Sequence, residues 1–269
     1  SSFEVEMMTD TVLLKKEPEH KIAWLVLNRP EKLNSINEDL ALHLQQTLMK
    51  VELDKEIRVL IITGAGKKAF SVGADLSVFM GGVTPDYAQY IASKGHEILA
   101  MIDRLPQPVI AAVNGHAYGG GCEIALACDF RLASKRAKIG LTEVNLGLLP
   151  AWGGTQRLPR IIGLAKARKA IMFGKQFNAD EALAIGLVDH VFPDDSFEKE
   201  VRVFAQALAE RAPIAMKLVK QCLNYGTQVP LEIGLAYEAQ AFAKTFTTKD
   251  IFEGITAFLQ KRKPEFKGE

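Results

Sequence analysis

Apolar residues fall into two kinds of run along this chain. The unbroken runs Ile22-Ala-Trp-Leu-Val-Leu27, Val59-Leu-Ile-Ile-Thr63 and Val109-Ile-Ala-Ala-Val113 are short and closed by Asn28-Arg29-Pro30, Gly64 and Asn114. Length and boundaries suit strands, and the second and third runs suit buried ones. Val12-Leu13-Leu14 predicts a further strand, joined to the next by a charged turn over 16–21. The second kind of run is periodic. Asn37 can cap a helix that carries Leu40, Leu44, Leu48 and Val51 on one face, and another helix is expected over 86–104, ahead of Pro106 and Pro108.

The alternation continues through strands expected at 130–133 and 188–192, which predicts an α/β core over residues 1–195. After Pro193 the strand signal stops. Three or four amphipathic helices, separated by Pro213, Gly226 to Pro230 and Thr247-Thr248, fill a helical C-terminal region over 196–269.

Composition narrows the classes. In 269 residues, 33 Lys and Arg nearly balance 32 Asp and Glu, and the net charge of +1 argues against a nucleic-acid partner. The helix expected after Asn37 carries Lys50 and Lys55 against five acidic residues, so it presents no basic stripe. No apolar run is long enough to cross a bilayer. The acidic start (Glu4, Glu6, Asp10) resembles neither a signal peptide nor an Arg-rich leader, so a reducing, cytoplasmic setting is expected, or the mitochondrial matrix for a processed eukaryotic protein. Cys122, Cys128 and Cys222 lack metal-ligand spacing, and the first two read as buried free thiols. No metal site is expected.

Four stretches are candidates for chemistry. Gly64-Ala-Gly66-Lys-Lys fails as a phosphate loop, because no Ser or Thr follows the lysines, and it reads as a tight turn. Phe70-Ser-Val-Gly-Ala-Asp-Leu76 reads as a strand-to-helix corner, with Asp75 capping a helical turn and the Ala74 amide near its start. Gly115-His-Ala-Tyr-Gly-Gly-Gly-Cys-Glu123 has the same shape, with a helix from about Gly120. Glycine costs about 1 kcal/mol relative to alanine inside a helix, so three in a row need a reason. First-turn amides at two such corners could both serve one developing oxyanion. On local grounds Glu123 is a first-turn carboxylate favoured by the helix dipole. Glu143, in Lys138-Ile-Gly-Leu-Thr-Glu143, is a second acid in apolar surroundings, and the pair could divide acid and base roles if the fold joins them.

Together with Leu27-Asn-Arg-Pro-Glu-Lys-Leu-Asn34 and Pro150-Ala-Trp-Gly-Gly-Thr-Gln-Arg157, these motifs resemble the crotonase (enoyl-CoA hydratase/isomerase) superfamily along nearly the whole chain. The resemblance implies a spiral of ββα units and a helical C-terminal region that builds homotrimers or hexamers. It implies an acyl-coenzyme A substrate and no separate cofactor, coenzyme A being part of the substrate. Ala74 and Gly120 match the family's oxyanion-hole positions, and Glu123 and Glu143 its two catalytic acids. By the same match, Lys32, Val72, Asp75, Leu76, Ala151, Trp152, Phe242, Phe258 and Lys261 bind substrate or coenzyme, the last three from a neighbouring subunit. The implied reaction is hydration of 2-enoyl-CoA, with Δ3,Δ2-enoyl-CoA isomerisation as the alternative. This sequence departs from the pattern at three points. Ala151 replaces a frequent glycine, and Ser77 stands where some members have lysine. Trp152 is bulkier than the usual residue, and it either caps the acyl pocket or packs the loop. His116 is expected to pack rather than to act as a base.

Overall fold

A computed structural model describes residues 4–8 by their backbone and residues 11–269 in full. Residues 1–3, 9 and 10 of the expected core span lie outside the described residues. The chain opens with β1 (Glu4–Met8), β2 (Val12–Glu17) and β3 (Ile22–Leu27), then α1 (Glu38–Leu53), β4 (Val59–Gly64), β5 (Ala69–Ser71) and α2 (Pro85–Arg104). β6 (Val109–Val113), β7 (His116–Tyr118), α3 (Gly120–Ala127), β8 (Phe130–Ser134) and β9 (Lys138–Gly140) follow. Next come α4 (Gly154–Ile162), α5 (Leu164–Met172), β10 (Phe177–Asn178), α6 (Ala179–Ala184) and β11 (His190–Phe192). Every later element is helical: α7 (Phe197–Ala209), α8 (Pro213–Gly226), α9 (Leu231–Thr245) and α10 (Lys249–Leu259).

The strands form two sheets, ordered β1-β2-β3-β4-β6-β8-β11 and β10-β9-β7-β5. Successive passes of the chain, β4 then β5, β6 then β7, β8 then β9, each place one strand in each sheet. This is the expected spiral of ββα turns. The pairs β3–β4, β4–β6, β6–β8 and β8–β11 are parallel, and so are β5–β7 and β7–β9.

The unbroken apolar runs are explained by a core on each face of the large sheet. Side chains alternate along a strand, so Leu60 and Ile62 join the core beneath α1, α2 and α3, whereas Val59 and Ile61 join the one covered by α7. α1 starts where expected, with the Asn37 side chain accepting from the Leu40 amide at 3.0 Å. Leu40, Leu44, Leu48 and Val51 are all buried.

Two expectations change. The turn expected over 16–21 is shorter, since β2 runs on to Glu17 and only residues 18–21 turn. Glu17 is buried in the sheet because the Trp24 indole donates to it at 2.7 Å and Arg202 of α7 at 3.0 Å. The stretch between β6 and α3 is not all loop either, since it contains β7, which two parallel neighbours hold in place.

The helical end docks through buried polar contacts. Lys220 of α8 reaches Asp129 at 2.8 Å and the carbonyls of Ile102 and Gln107 at 3.0 and 3.1 Å. Among the described residues no helix is long and apolar enough to cross a membrane.

Candidate active site

The first strand-to-helix corner follows β5. Gly73 has φ +87°, a left-handed conformation that glycine adopts without strain. Asp75 caps the single 3₁₀ turn Leu76–Phe79. One oxygen of its carboxylate takes the Ser77 hydroxyl at 2.7 Å, and the other takes Arg29 at 3.1 Å. The Ser77 hydroxyl, with Arg29 behind it, holds Asp75 below the usual carboxylate range. The corner is stitched to a neighbouring loop by Ile36 N donating to Gly73 O and Asp75 N donating to Ile36 O, at 2.8 and 2.9 Å. Between these two bonds, the Ala74 amide donates to no acceptor among the described residues.

The second corner lies at the end of β7. Gly119 (φ +50°, ψ −125°) turns the chain so that α3 begins at Gly120, whose first-turn amide has no intrahelical acceptor. The two corners touch. A Cβ on Gly73 would lie 2.9 Å from the Gly120 nitrogen, and one on Gly120 would lie 3.9 Å from the Ala74 nitrogen. The third glycine has a packing reason, because a Cβ on Gly121 would fall 2.1 Å from the Ser71 carbonyl oxygen. The triplet therefore pays its helix-propensity cost for a left-handed turn and for backbone contact between α3 and β5.

Glu123 sits just beyond, only 2% exposed. Its amide donates to Gly119 O at 2.9 Å. Its Oε1 accepts from the amides of Trp152 at 2.8 Å and Gly154 at 2.7 Å, at the entrance to α4. Gly153, with φ +108°, lets the amides on either side of it point at one oxygen. Burial pushes Glu123 up to about 7 against the pull of the Gly154 amide, and the nearby Glu143 charge adds to the rise. The Trp152 amide and Arg157 oppose it.

Glu143 opens the 3₁₀ turn Glu143–Leu146, and its Oε1 would lie 3.0 Å from a Cβ on Gly119. Its Oε2 is buried and has no hydrogen-bond partner. Burial raises this carboxyl as well. The Gly119 Cα faces the Glu143 carboxylate, and its carbonyl accepts from the Glu123 main-chain amide. A buried and a half-buried carboxyl group of raised pKa beside two undirected amides can exchange protons with a ligand and hold an anionic oxygen.

The other expected residues are distributed unevenly. Val72, Asp75 and Leu76 belong to the first corner, and Lys32 is exposed at the end of the turn Pro30–Lys32. Ala151 is exposed on the loop before α4, whereas the Trp152 ring packs against α2 at Gly95. Phe242 on α9 and Phe258 on α10 are exposed, and Lys261 follows α10. His116 stacks on Tyr118 at 5.4 Å, and burial, then Lys138, lowers its pKa. Cys122 and Cys128 are buried free thiols whose burial raises both pKa values, Cys128 to about 12. The loop over 64–66 is a turn held by Asn114, whose side chain bonds Gly64 N, Gly64 O and Gly66 O. The amides of Trp152 and Gly154 were not anticipated from the sequence. The paired glycines at the start of α4, Gly153 and Gly154, are the local sign of them.

The two sheets joined by successive ββα turns, with helices after β11, form the crotonase-type fold. The sequence model of the family described as enoyl-CoA hydratase/isomerase matches residues 17–269. A crotonyl-CoA hydratase of Syntrophomonas wolfei is 41% identical over 97% of this chain and 99% of its own. A short-chain-enoyl-CoA hydratase of Clostridium acetobutylicum is 40% identical over 96% and 98%. The crystal structure of an enoyl-CoA hydratase from Bacillus anthracis superposes with a TM-score of 0.89 at 40% identity, covering 100% of both chains. This chain belongs to the enoyl-CoA hydratase/isomerase family.

Proposed function

We propose that the protein adds water across the double bond of 2-enoyl-CoA thioesters, forming 3-hydroxyacyl-CoA, and catalyses the reverse dehydration. The observation that carries this reading is the pair of acids, buried Glu123 and half-buried Glu143, close enough for the Glu143 charge to act on Glu123, next to the unpaired amides of Ala74 and Gly120. In the proposed reaction the thioester oxygen accepts hydrogen bonds from those two amides. This polarises the double bond and stabilises the enolate as water adds to the β-carbon.

Glu123, ionised, takes a proton from the attacking water, and Glu143, protonated, delivers one to the α-carbon. One shared proton between two close carboxyl groups is the favoured charge state, because like charges at short range resist double ionisation. The unpartnered Oε2 of Glu143 supports a donor aimed at a ligand rather than at protein. An isomerase needs only one acid–base group, so the second acid favours hydration. The backbone of residues 72–76 and Lys32 then face the coenzyme. The exposed apolar side chains of Phe242 and Phe258 support contacts made across a homotrimer or a pair of trimers.

Loss of the enoyl-thioester absorbance with crotonyl-CoA and longer homologues tests the reading. Hydration is expected, fastest for short and medium chains. Isomerisation of a 3-enoyl-CoA with no hydration of crotonyl-CoA would replace it with the isomerase reading.

A further inference from the structure

Gly95 is buried in the middle of α2, where glycine is among the poorest helix formers. Its neighbour explains it. A Cβ at this position would lie 2.2 Å from Cδ1 of Trp152 and 2.3 Å from both Cγ and Nε1. The indole therefore rests on the bare main chain of α2. The same residue's amide holds Glu123 Oε1 at 2.8 Å, so the seat of the ring and the orientation of the acid are joined through one residue. A second tie runs between the same segments, since Arg157 of α4 bonds both carboxylate oxygens of Asp103 on α2, at 2.9 and 2.6 Å.

We propose that Gly95 is a positioning residue. By giving the Trp152 indole a seat on α2, it fixes the turn over 151–154 and thereby the placement of Glu123. Any larger residue at 95 must push the ring away and drag the Trp152 amide with it. The displaced ring has room to move, because a cavity of about 790 Å³ lined by His96, Asp103, Trp152, Arg157 and Lys220 adjoins it. The Gly95→Ala protein is therefore expected to fold, with its helix favoured rather than weakened by the alanine.

The chain has two tryptophans, and Trp24 is buried against Glu17, so Trp152 dominates any change in emission. With Trp152→Phe as the blank, Gly95→Ala is expected to give red-shifted emission and stronger acrylamide quenching. Its kcat with crotonyl-CoA should fall by about tenfold or more while KM changes little, the pattern of a misplaced catalytic group. Adding Trp152→Ala removes the clash, so the double variant should recover to within about threefold of Trp152→Ala alone. Unchanged emission in Gly95→Ala, or a double variant as impaired as Gly95→Ala, would overturn the proposal. The kinetic arm rests on the hydratase reading, whereas emission is read without turnover. A wild-type protein that fails to hydrate crotonyl-CoA would refute that reading and leave the emission arm to decide the seat.

Discussion

Gly73 and Gly120 meet backbone to backbone, so closely that a methyl group on Gly73 would lie 2.9 Å from the Gly120 nitrogen and 2.8 Å from the Tyr118 oxygen. This contact brings the amides of the two corners to one place. Gly73→Ala would meet both the left-handed φ and these atoms, and it should separate the corners. Removing one oxyanion donor costs about 10²–10³ in kcat, and a loss on this scale is expected. Steady-state kinetics of a variant shown to be folded by circular dichroism checks it. A folded Gly73→Ala protein with wild-type kcat would show that the contact does not matter to the reaction.

In the proposed reaction Glu123 must be ionised, and its carboxyl is pushed up to about 7. The kcat/KM for hydration should therefore fall as pH drops through about 7, approaching a tenfold loss per pH unit on the acid side. Charge on Glu143 and Arg157 acts on this group, in opposite directions. Initial rates at low substrate across the neutral range measure the profile. A profile flat from about pH 5 to 8 is incompatible with Glu123 as base.

The same raised value is a statement about stability. A buried acid whose folded pKa exceeds its unfolded one stabilises the fold fully below the unfolded value, and that stability is lost as pH rises through the folded value. For Glu123 the window runs from 4.5 to about 7, and the cost of ionising it above that window is on the order of 3 kcal/mol. Glu123→Gln keeps an oxygen for the Trp152 and Gly154 amides but cannot ionise. It should thus gain stability over the wild type as pH rises through this window, with a constant difference above it. Urea unfolding at pH 4.5 and 8 reads the difference, and an equal one at both would contradict the assignment.

Lys220 and Asp129 pair at 2.8 Å where α8 meets the core, with the lysine buried. Burial raises the Asp129 pKa against the opposing charge of Lys220. Lys220→Met strands that carboxylate, and breaking a buried pair typically costs about 3–5 kcal/mol. Adding Asp129→Asn should return part of the loss. Denaturant midpoints compare the two variants, and a double variant less stable than Lys220→Met would argue against a charge effect.

Much of this arrangement was legible in the sequence where a signal is local. The runs at 22–27 and 59–63 marked strands, the second of them a buried one, and Asn37 marked the start of α1. The motifs around Gly120 and Glu143 marked two acids that the fold brings within reach of each other's charge. What was missed depends on contacts between distant segments. β7, β9 and β10 are two or three residues long and owe their extended form to neighbours rather than to periodicity. Nothing near Gly95 announces Trp152, 57 positions later, and nothing near Glu123 announces the amide of Gly154. Main-chain groups carry no side-chain signature, so a site built partly from amides is only half visible in the residues.

The central claim is that two acids share the work of hydration, and the most direct measurement is kcat for crotonyl-CoA hydration by Glu123→Gln and by Glu143→Gln. Each is expected to fall by at least about 10²-fold, the scale of a positioned acid or base, with the variants still folded. Near-wild-type turnover by either one would contradict the two-acid account.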